Sequence, residues 1–224
     1  MVDRLKTAAL ASLLHDVGKV NYRAGKEKKS HSLLGSDFLR PFCEGSEAGG
    51  AILRCVRYHH GRDLSGAHLA VDDLAYLVYE ADNIAAGADR RDKADGKETF
   101  SFDPSICLEN VFNVFEGTKK EEKSYFPLKE LDAREEPNYP VRNPSLVATP
   151  GKYQTIVNDL KANFQRKAPQ DMEPDELLRI LEDTVSFVPS STDRNQVADI
   201  SLYDHVKMTA AIGTSLFRYL ESQG

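Results

Sequence analysis

The residues of this chain best suited to chemistry begin at Leu13-Leu14-His15-Asp16-Val17-Gly18-Lys19. An apolar stretch runs into an adjacent imidazole and carboxylate, and a glycine and a lysine follow. Neighbouring side chains on a helix point about 100° apart, because a turn holds about 3.6 residues. His15 and Asp16 therefore straddle one flank, and both can reach a cation placed there. Imidazole nitrogen with carboxylate oxygen suits Mn, Fe, Co, Ni or Zn. Gly18 is expected to take the left-handed conformation that ends the helix. Lys19 then lies one turn beyond the pair, where it can hold a phosphate oxygen. A His-Asp pair by itself more often caps a helix than binds metal, so the rest of the chain decides.

His31 follows Ser30, the N-cap of a second helix that carries Leu34 and Phe38 at helical spacing and ends at Pro41. A third helix starts at Ser46, buries Ile52, Leu53 and Val56, and finishes in Tyr58-His59-His60-Gly61. The helix C-terminal dipole accounts for one cationic histidine there but poorly for two. A fourth helix, from about His68 to Gly87, buries Leu74, Leu77, Val78, Ala81, Ile84 and Ala85. His68 is expected to be exposed at its start. Asp82 falls on the line of Ala75, Val78 and Ala85, where a carboxylate is costly unless it meets a cation or strong donors. A salt bridge is the plain explanation and a metal the sharper one. The last helix, Leu202 to Leu220, opens at Asp199 or Ser201 and carries His205. Thr209, Ala210 and Gly213 follow and are small enough to admit another helix or a metal site.

His15, Asp16, His31, His59, His60, Asp82 and His205 together exceed the needs of one ion. Histidine and carboxylate ligands without paired cysteines argue against a structural zinc site and for an open, catalytic one. Two ions with Asp16 between them follow naturally. Such a pair clamps the attacking and leaving oxygens of a phosphodiester and generates hydroxide at neutral pH.

The elements that must position these groups are mostly helical. A first helix from near Asp3 to Lys19 buries Leu5, Ala8, Ala9, Ser12, Leu13 and Val17. Asn21 to Lys29 reads as a polar, basic loop. Ala88 to Lys97 reads as a charged surface loop, with Arg90 and Arg91 as candidate nucleic-acid contacts. The next stretch is punctuated by Pro137, Pro140, Pro144 and Pro150, with Tyr125-Phe126-Pro127-Leu128 as a short strand. Tyr153, Ile156, Val157, Leu160 and Phe164 mark one further helix, and Leu177, Leu178, Leu181 and Val185 another. The expected organisation is one mostly α domain over 1–224. Helices carrying most ligands occupy 1–95, a small irregular or β-hairpin insertion 96–148, and helices completing the bundle 149–224.

The chain has 224 residues, 41% of them apolar, enough for a sizeable core. No apolar run approaches the roughly 20 residues of a membrane span, and Met1-Val2-Asp3-Arg4 lacks the layout of a secretory signal. Cys43, Cys55 and Cys107 form no Cys-x-x-Cys, which fits reduced thiols and a cytoplasmic location. A formal charge of −6 argues against holding duplex DNA by bulk electrostatics. Nucleic-acid contact would be local, or delivered by a partner.

His15-Asp16, then His31, His59-His60 and Asp82 resemble the HD phosphohydrolase superfamily, in which an earlier helix normally supplies a first histidine. Here the segment Leu202-Tyr203-Asp204-His205 looks like that helix moved to the C-terminus, giving a circularly permuted HD-domain helical bundle. With Glu80-Ala81-Asp82-Asn83-Ile84-Ala85-Ala86-Gly87-Ala88-Asp89-Arg90-Arg91 and Phe187-Val188-Pro189-Ser190-Ser191-Thr192, the chain is similar to the HD nuclease domain of the large signature subunit of type III-A (Csm) CRISPR effector complexes. That resemblance implies cleavage of single-stranded DNA at a divalent-metal site. Mn2+ is the first choice, with Ni2+, Co2+ or Fe2+ as alternatives. It also implies partners in the other subunits of a guide-RNA-bound complex and in the remainder of its own subunit.

The resemblance further implies that His15, Asp16, Asp82 and His205 hold one ion and that His31, His59 and His60 hold or approach the second. Asp16 and Lys19 are the residues nearest the chemistry, Lys19 steadying the scissile phosphate or leaving group. The family's palm domains carry a Gly-Gly-Asp-Asp motif that is missing here, so no oligoadenylate synthesis is expected of this chain. Two rival readings are an HD phosphohydrolase acting on nucleotides or cyclic dinucleotides and a catalytically silent scaffold. Gly61-Arg62-Asp63 after the His pair weakens the cyclic-dinucleotide reading.

Overall fold

The computed structural model describes residues 3–25, 27–89, 102–114, 122–131, 136–143 and 145–223. They form a mostly helical bundle with one small antiparallel ribbon. The first helix, α1, spans Arg4–Leu14, and the Asp3 side chain caps it by accepting from the Lys6 amide at 3.0 Å. Every residue from Thr7 to Gly18 is buried. Helices α4 (Glu47–Tyr58), α6 (Leu74–Asp89), α8 (Pro174–Val185) and α9 (Leu202–Gln223) all pack on α1. It is the axis of the bundle, so its sequence carries no polar face.

α1 stops at Leu14 rather than Lys19. The amide of Val17 reaches only to Leu14 O (3.0 Å), and that of Lys19 to Asp16 O (2.9 Å). This tight turn leads straight into α2, Gly18–Ala24, so Asn21 to Ala24 are helical and not loop. Gly18 does not adopt the left-handed conformation expected of it; among the described residues the glycine with positive φ is Gly45. A Cβ at Gly18 would lie 1.9 Å from His31 O and 2.5 Å from Gly35 N. The position is small because α2 lies backbone to backbone on α3, His31–Cys43.

Ser30 caps α3, accepting from the Leu33 amide at 3.3 Å. The helix passes through Pro41 to Cys43, because a proline so near the end removes a single ladder donor and the Glu44 amide still closes on Arg40 O at 3.0 Å. His59 forms the C-cap of α4, and His60 precedes the short α5, Gly61–Ser65.

α6 begins six residues later than His68, at Leu74, where Asp73 Oδ1 accepts from the Ala75 amide at 3.0 Å. His68 is exposed in the preceding loop, at φ 50°. The helix continues through Ala88 to Asp89. Ile84 is 50% exposed, because Ala81 faces α9 and Ile84 lies off that side.

The insertion contributes β1 (Leu108–Glu109) and β2 (Tyr125–Phe126), antiparallel, with Leu108 opposite Phe126. It docks through the Glu109 amide to Ala198 O (2.8 Å) and by Phe126 stacking on Phe187 at 5.4 Å. α7, Pro150–Arg166, buries all five residues of its expected stripe and packs on α2 and α8. Ser201 caps α9, accepting from the Asp204 amide at 3.0 Å. Among the described residues no helix is long and apolar enough to cross a membrane.

Candidate metal centre

The end of α1, the start of α3, the end of α4, the middle of α6 and the start of α9 meet at one point. Their ligand atoms form two groups, His15–Asp16–Asp82–His205 and His31–His59–His60, each with all its atoms within 4.8 Å of one another. The Asp16 carboxylate lies between them. Its Oδ2 is 3.3 Å from His15 Nε2 and 3.3 Å from His205 Nε2. Its Oδ1 is 3.2 Å from His31 Nε2 and 3.6 Å from His59 Nε2. Asp82 Oδ1 closes the first group at 3.4 Å from His15 Nε2 and 3.2 Å from His205 Nε2. In the second, His31 Nε2 is 2.8 Å from His60 Nε2 and 3.3 Å from His59 Nε2.

The opposite ring nitrogens are tied down. His15 Nδ1 donates to Ser12 O at 2.7 Å, His59 Nδ1 to Val56 O at 2.8 Å, and His205 Nδ1 to Asp89 Oδ2 at 2.8 Å. Each acceptor is an oxygen that cannot donate, so Nδ1 keeps a proton and Nε2 is the nitrogen that faces inward. That is the arrangement by which proteins orient metal-ligating histidines.

His15 Nε2, His205 Nε2 and Asp16 Oδ1 are buried with no hydrogen bond. Buried polar atoms are ordinarily satisfied, and an ion placed among these inward-facing atoms would satisfy them together. The close His31 and His60 nitrogens likewise need a proton or cation between them. The donor set thus fits divalent metal, with nitrogen and oxygen ligands and no thiolate.

The electrostatics follow from burial among charges. Burial opposes ionisation of Asp16, but Lys19 Nζ, 2.5 Å from its Oδ2, and then His15 outweigh it and hold the carboxyl well below the usual range. Burial also disfavours a charged His15, yet Asp16 and Asp82 raise it to about 9. His59 is pushed well below the ordinary value by burial and by the charge of His15. His60 is lowered by burial and by His31. The metal-free site therefore keeps its protons on the carboxylate-lined side.

All seven residues proposed from the sequence as ligands come together, and Lys19 joins them through Asp16. His68 does not. Arg90 and Arg91 lie outside the described residues. Asp89 is the member that the sequence reading missed. It lies seven residues after Asp82, two turns along the same helix face, and that spacing was the available signal.

A family model described as "HD domain" matches residues 2–87. The single-strand-specific deoxyribonuclease Cas10/Csm1 (subtype III-A) of Enterococcus italicus is 36% identical over 219 residues, covering 93% of this chain and 28% of that protein. The protein of the same description from Mycobacterium tuberculosis is 35% identical over 249 residues, covering 100% of this chain and 30% of its own length. The chain therefore spans less than a third of these relatives. A crystal structure of Csm1 from T. onnurineus superposes with a TM-score of 0.71 at 28% identity, over 97% of this chain and 29% of that one. Csm1 in the Csm1–Csm4 subcomplex of the type III-A interference complex gives 0.68 at 28% identity, over 96% and 28%. Sequence, fold and the permuted entry of His205 agree, and the chain belongs to the Cas10/Csm1 family as its HD domain.

Proposed function

We propose that this domain cleaves single-stranded DNA by metal-dependent phosphodiester hydrolysis within a type III-A CRISPR complex. The observation that carries this reading is the Asp16 carboxylate, with one oxygen toward His15 and His205 and the other toward His31 and His59. The names of the relatives supply the substrate class. His15, Asp16, Asp82 and His205 would hold one divalent ion, and His31, His59 and His60 a second, with Asp16 shared. Mn2+ is the first choice among Mn2+, Ni2+, Co2+ and Fe2+. When bound, such ions supply Lewis-acid activation of water and neutralise charge at phosphoryl oxygens.

The protein groups do the rest. Lys19 holds the Asp16 carboxylate and lines the groove, where its positive charge would meet a phosphate oxygen. Ser12 O, Val56 O and Asp89 fix three imidazole rings before substrate binds, so no reorganisation is needed at the moment of reaction. The charge of −6 favours delivery of the strand by a guide-RNA complex over capture by bulk attraction. The remainder of the subunit and a Csm4-type neighbour are the expected partners, in line with the Csm1–Csm4 assemblies among the structural neighbours.

The test is cleavage of a labelled single-stranded oligonucleotide with Mn2+, with and without chelator, by the parent and Asp16→Ala. Metal-dependent cutting by the parent alone is expected. Cutting of nucleotides or cyclic dinucleotides with the strand left intact would replace this reading with a small-molecule phosphohydrolase. Bound metal without any hydrolysis would leave a docking domain.

A further inference from the structure

The metal centre opens into a groove of about 940 Å3 whose walls extend well beyond the ligands. Helix α2 forms one wall. Lys19, Tyr22 and Arg23 stand at i, i+3 and i+4 and share one face of it. Starting from Lys19, which touches Asp16, that face leads about 4.5 Å along the helix axis to Tyr22. Tyr22 is 43% exposed, and Phe102, which lines the same groove and is bridged through its backbone to Asp193, is 58% exposed. Both rings line the groove that leads from the metal centre.

The charges add a second signal. Arg23 is only 5% exposed and donates to Pro189 O at 2.6 Å and Ser190 O at 3.3 Å, beneath the Tyr153 ring. Among the described residues no carboxylate pairs with it, nor with Arg62, which also lines the groove. A buried cation without a counterion favours an anion arriving from the groove. Aromatic rings and cations lining one groove are the combination that binds single strands, the bases stacking and the phosphates following the charge.

We propose that this groove is the track of the single strand, with bases stacked on Tyr22 and Phe102 and phosphates drawn by Arg62 and the buried Arg23. The inference rests on the nuclease reading above and adds the residues that hold the substrate.

The test is fluorescence anisotropy of labelled oligothymidylate with the whole chain in chelator, where binding is read without cleavage. Tyr22→Ala and Phe102→Ala should each weaken binding at least about fivefold. Tyr22→Phe and Phe102→Tyr should restore it, because they keep the π-face. Arg62→Ala should reduce the slope of log affinity against log salt by about 0.7, one phosphate's worth for a single strand. Metal content should match the parent in all of them. If both alanine variants bind within twofold of the parent while the parent cuts, the track is wrong and the nuclease reading stands. If the parent neither binds nor cuts the strand, both fall.

Discussion

Asp89 Oδ2 accepts a hydrogen bond from His205 Nδ1 at 2.8 Å, joining the last turn of α6 to the first turn of α9. The contact orients the inward nitrogen of the single candidate ligand contributed from beyond residue 87, where the HD-domain match ends. Supporting carboxylates of this kind typically govern metal affinity about 10- to 100-fold. Asp89→Ala is expected to lose affinity in that range. Asp89→Asn should lose less, since its amide oxygen still accepts the bond but carries no charge. Metal titration followed by elemental analysis checks the order. Equal affinity in all three proteins would mean that the ring is held by packing alone.

Gly18 yields a prediction from backbone contact. A methyl group there meets His31 O and Gly35 N, and neither is a flexible side-chain end. Gly18→Ala must push α2 from α3, which as overpacking costs roughly 1–3 kcal/mol, or about 2–12 °C in Tm for a chain of this size. His31 opens α3, so metal affinity should fall with stability. Gly87→Ala is the control: nothing lies within 4 Å of the added atom, and the change should be neutral or stabilising by up to about 1 kcal/mol. Calorimetry of both variants checks the contrast.

These two positions also mark what was legible in the sequence. The seven candidate residues could be found because histidines at helix ends and an aspartate on an apolar stripe conflict with ordinary burial, and a shared cation would resolve those conflicts together. The helices around them were readable where one face is wet, as in α7 with its buried Tyr153, Ile156 and Leu160. α1 is buried on every side, so periodicity could not mark its end, and the run through Lys19 read as one helix. Gly18 carried the right identity but the wrong reason, since close approach and left-handed backbone select the same residue. Asp89 was hidden by its charged neighbours, which read as loop. Tyr22 was hidden by a polar stretch that tertiary contact with α7 turns into helix.

The two clusters predict a stoichiometry. His205→Ala removes a donor only from the first group, and His60→Ala only from the second. Each should lower bound Mn2+ from two ions to one per chain, while Asp16→Ala, which touches both, should approach zero. Elemental analysis after dialysis against micromolar Mn2+ makes the comparison. A parent that binds one ion, abolished equally by either single variant, would merge the two groups into one site.

Metal should also stabilise the fold, because the donors come from α1, α3, α4, α6 and α9 or the turns at their ends, which are far apart in the chain. An ion that binds only the folded state at a hundred times its Kd contributes about 2.7 kcal/mol, or roughly 5–11 °C in Tm at this chain length. Without the ion, the buried imidazoles and carboxylates can only share protons across contacts of 3.2–3.6 Å, and that contribution is missing. Thermal melts of the parent should therefore shift upward with Mn2+ and back with chelator. Asp16→Ala should show neither shift, and His68→Ala, exposed and outside both ligand groups, should show both. A melt of the parent that ignores Mn2+ would mean that five imidazoles and two carboxylates have converged without recruiting a cation, and the hydrolytic reading would lose its physical basis.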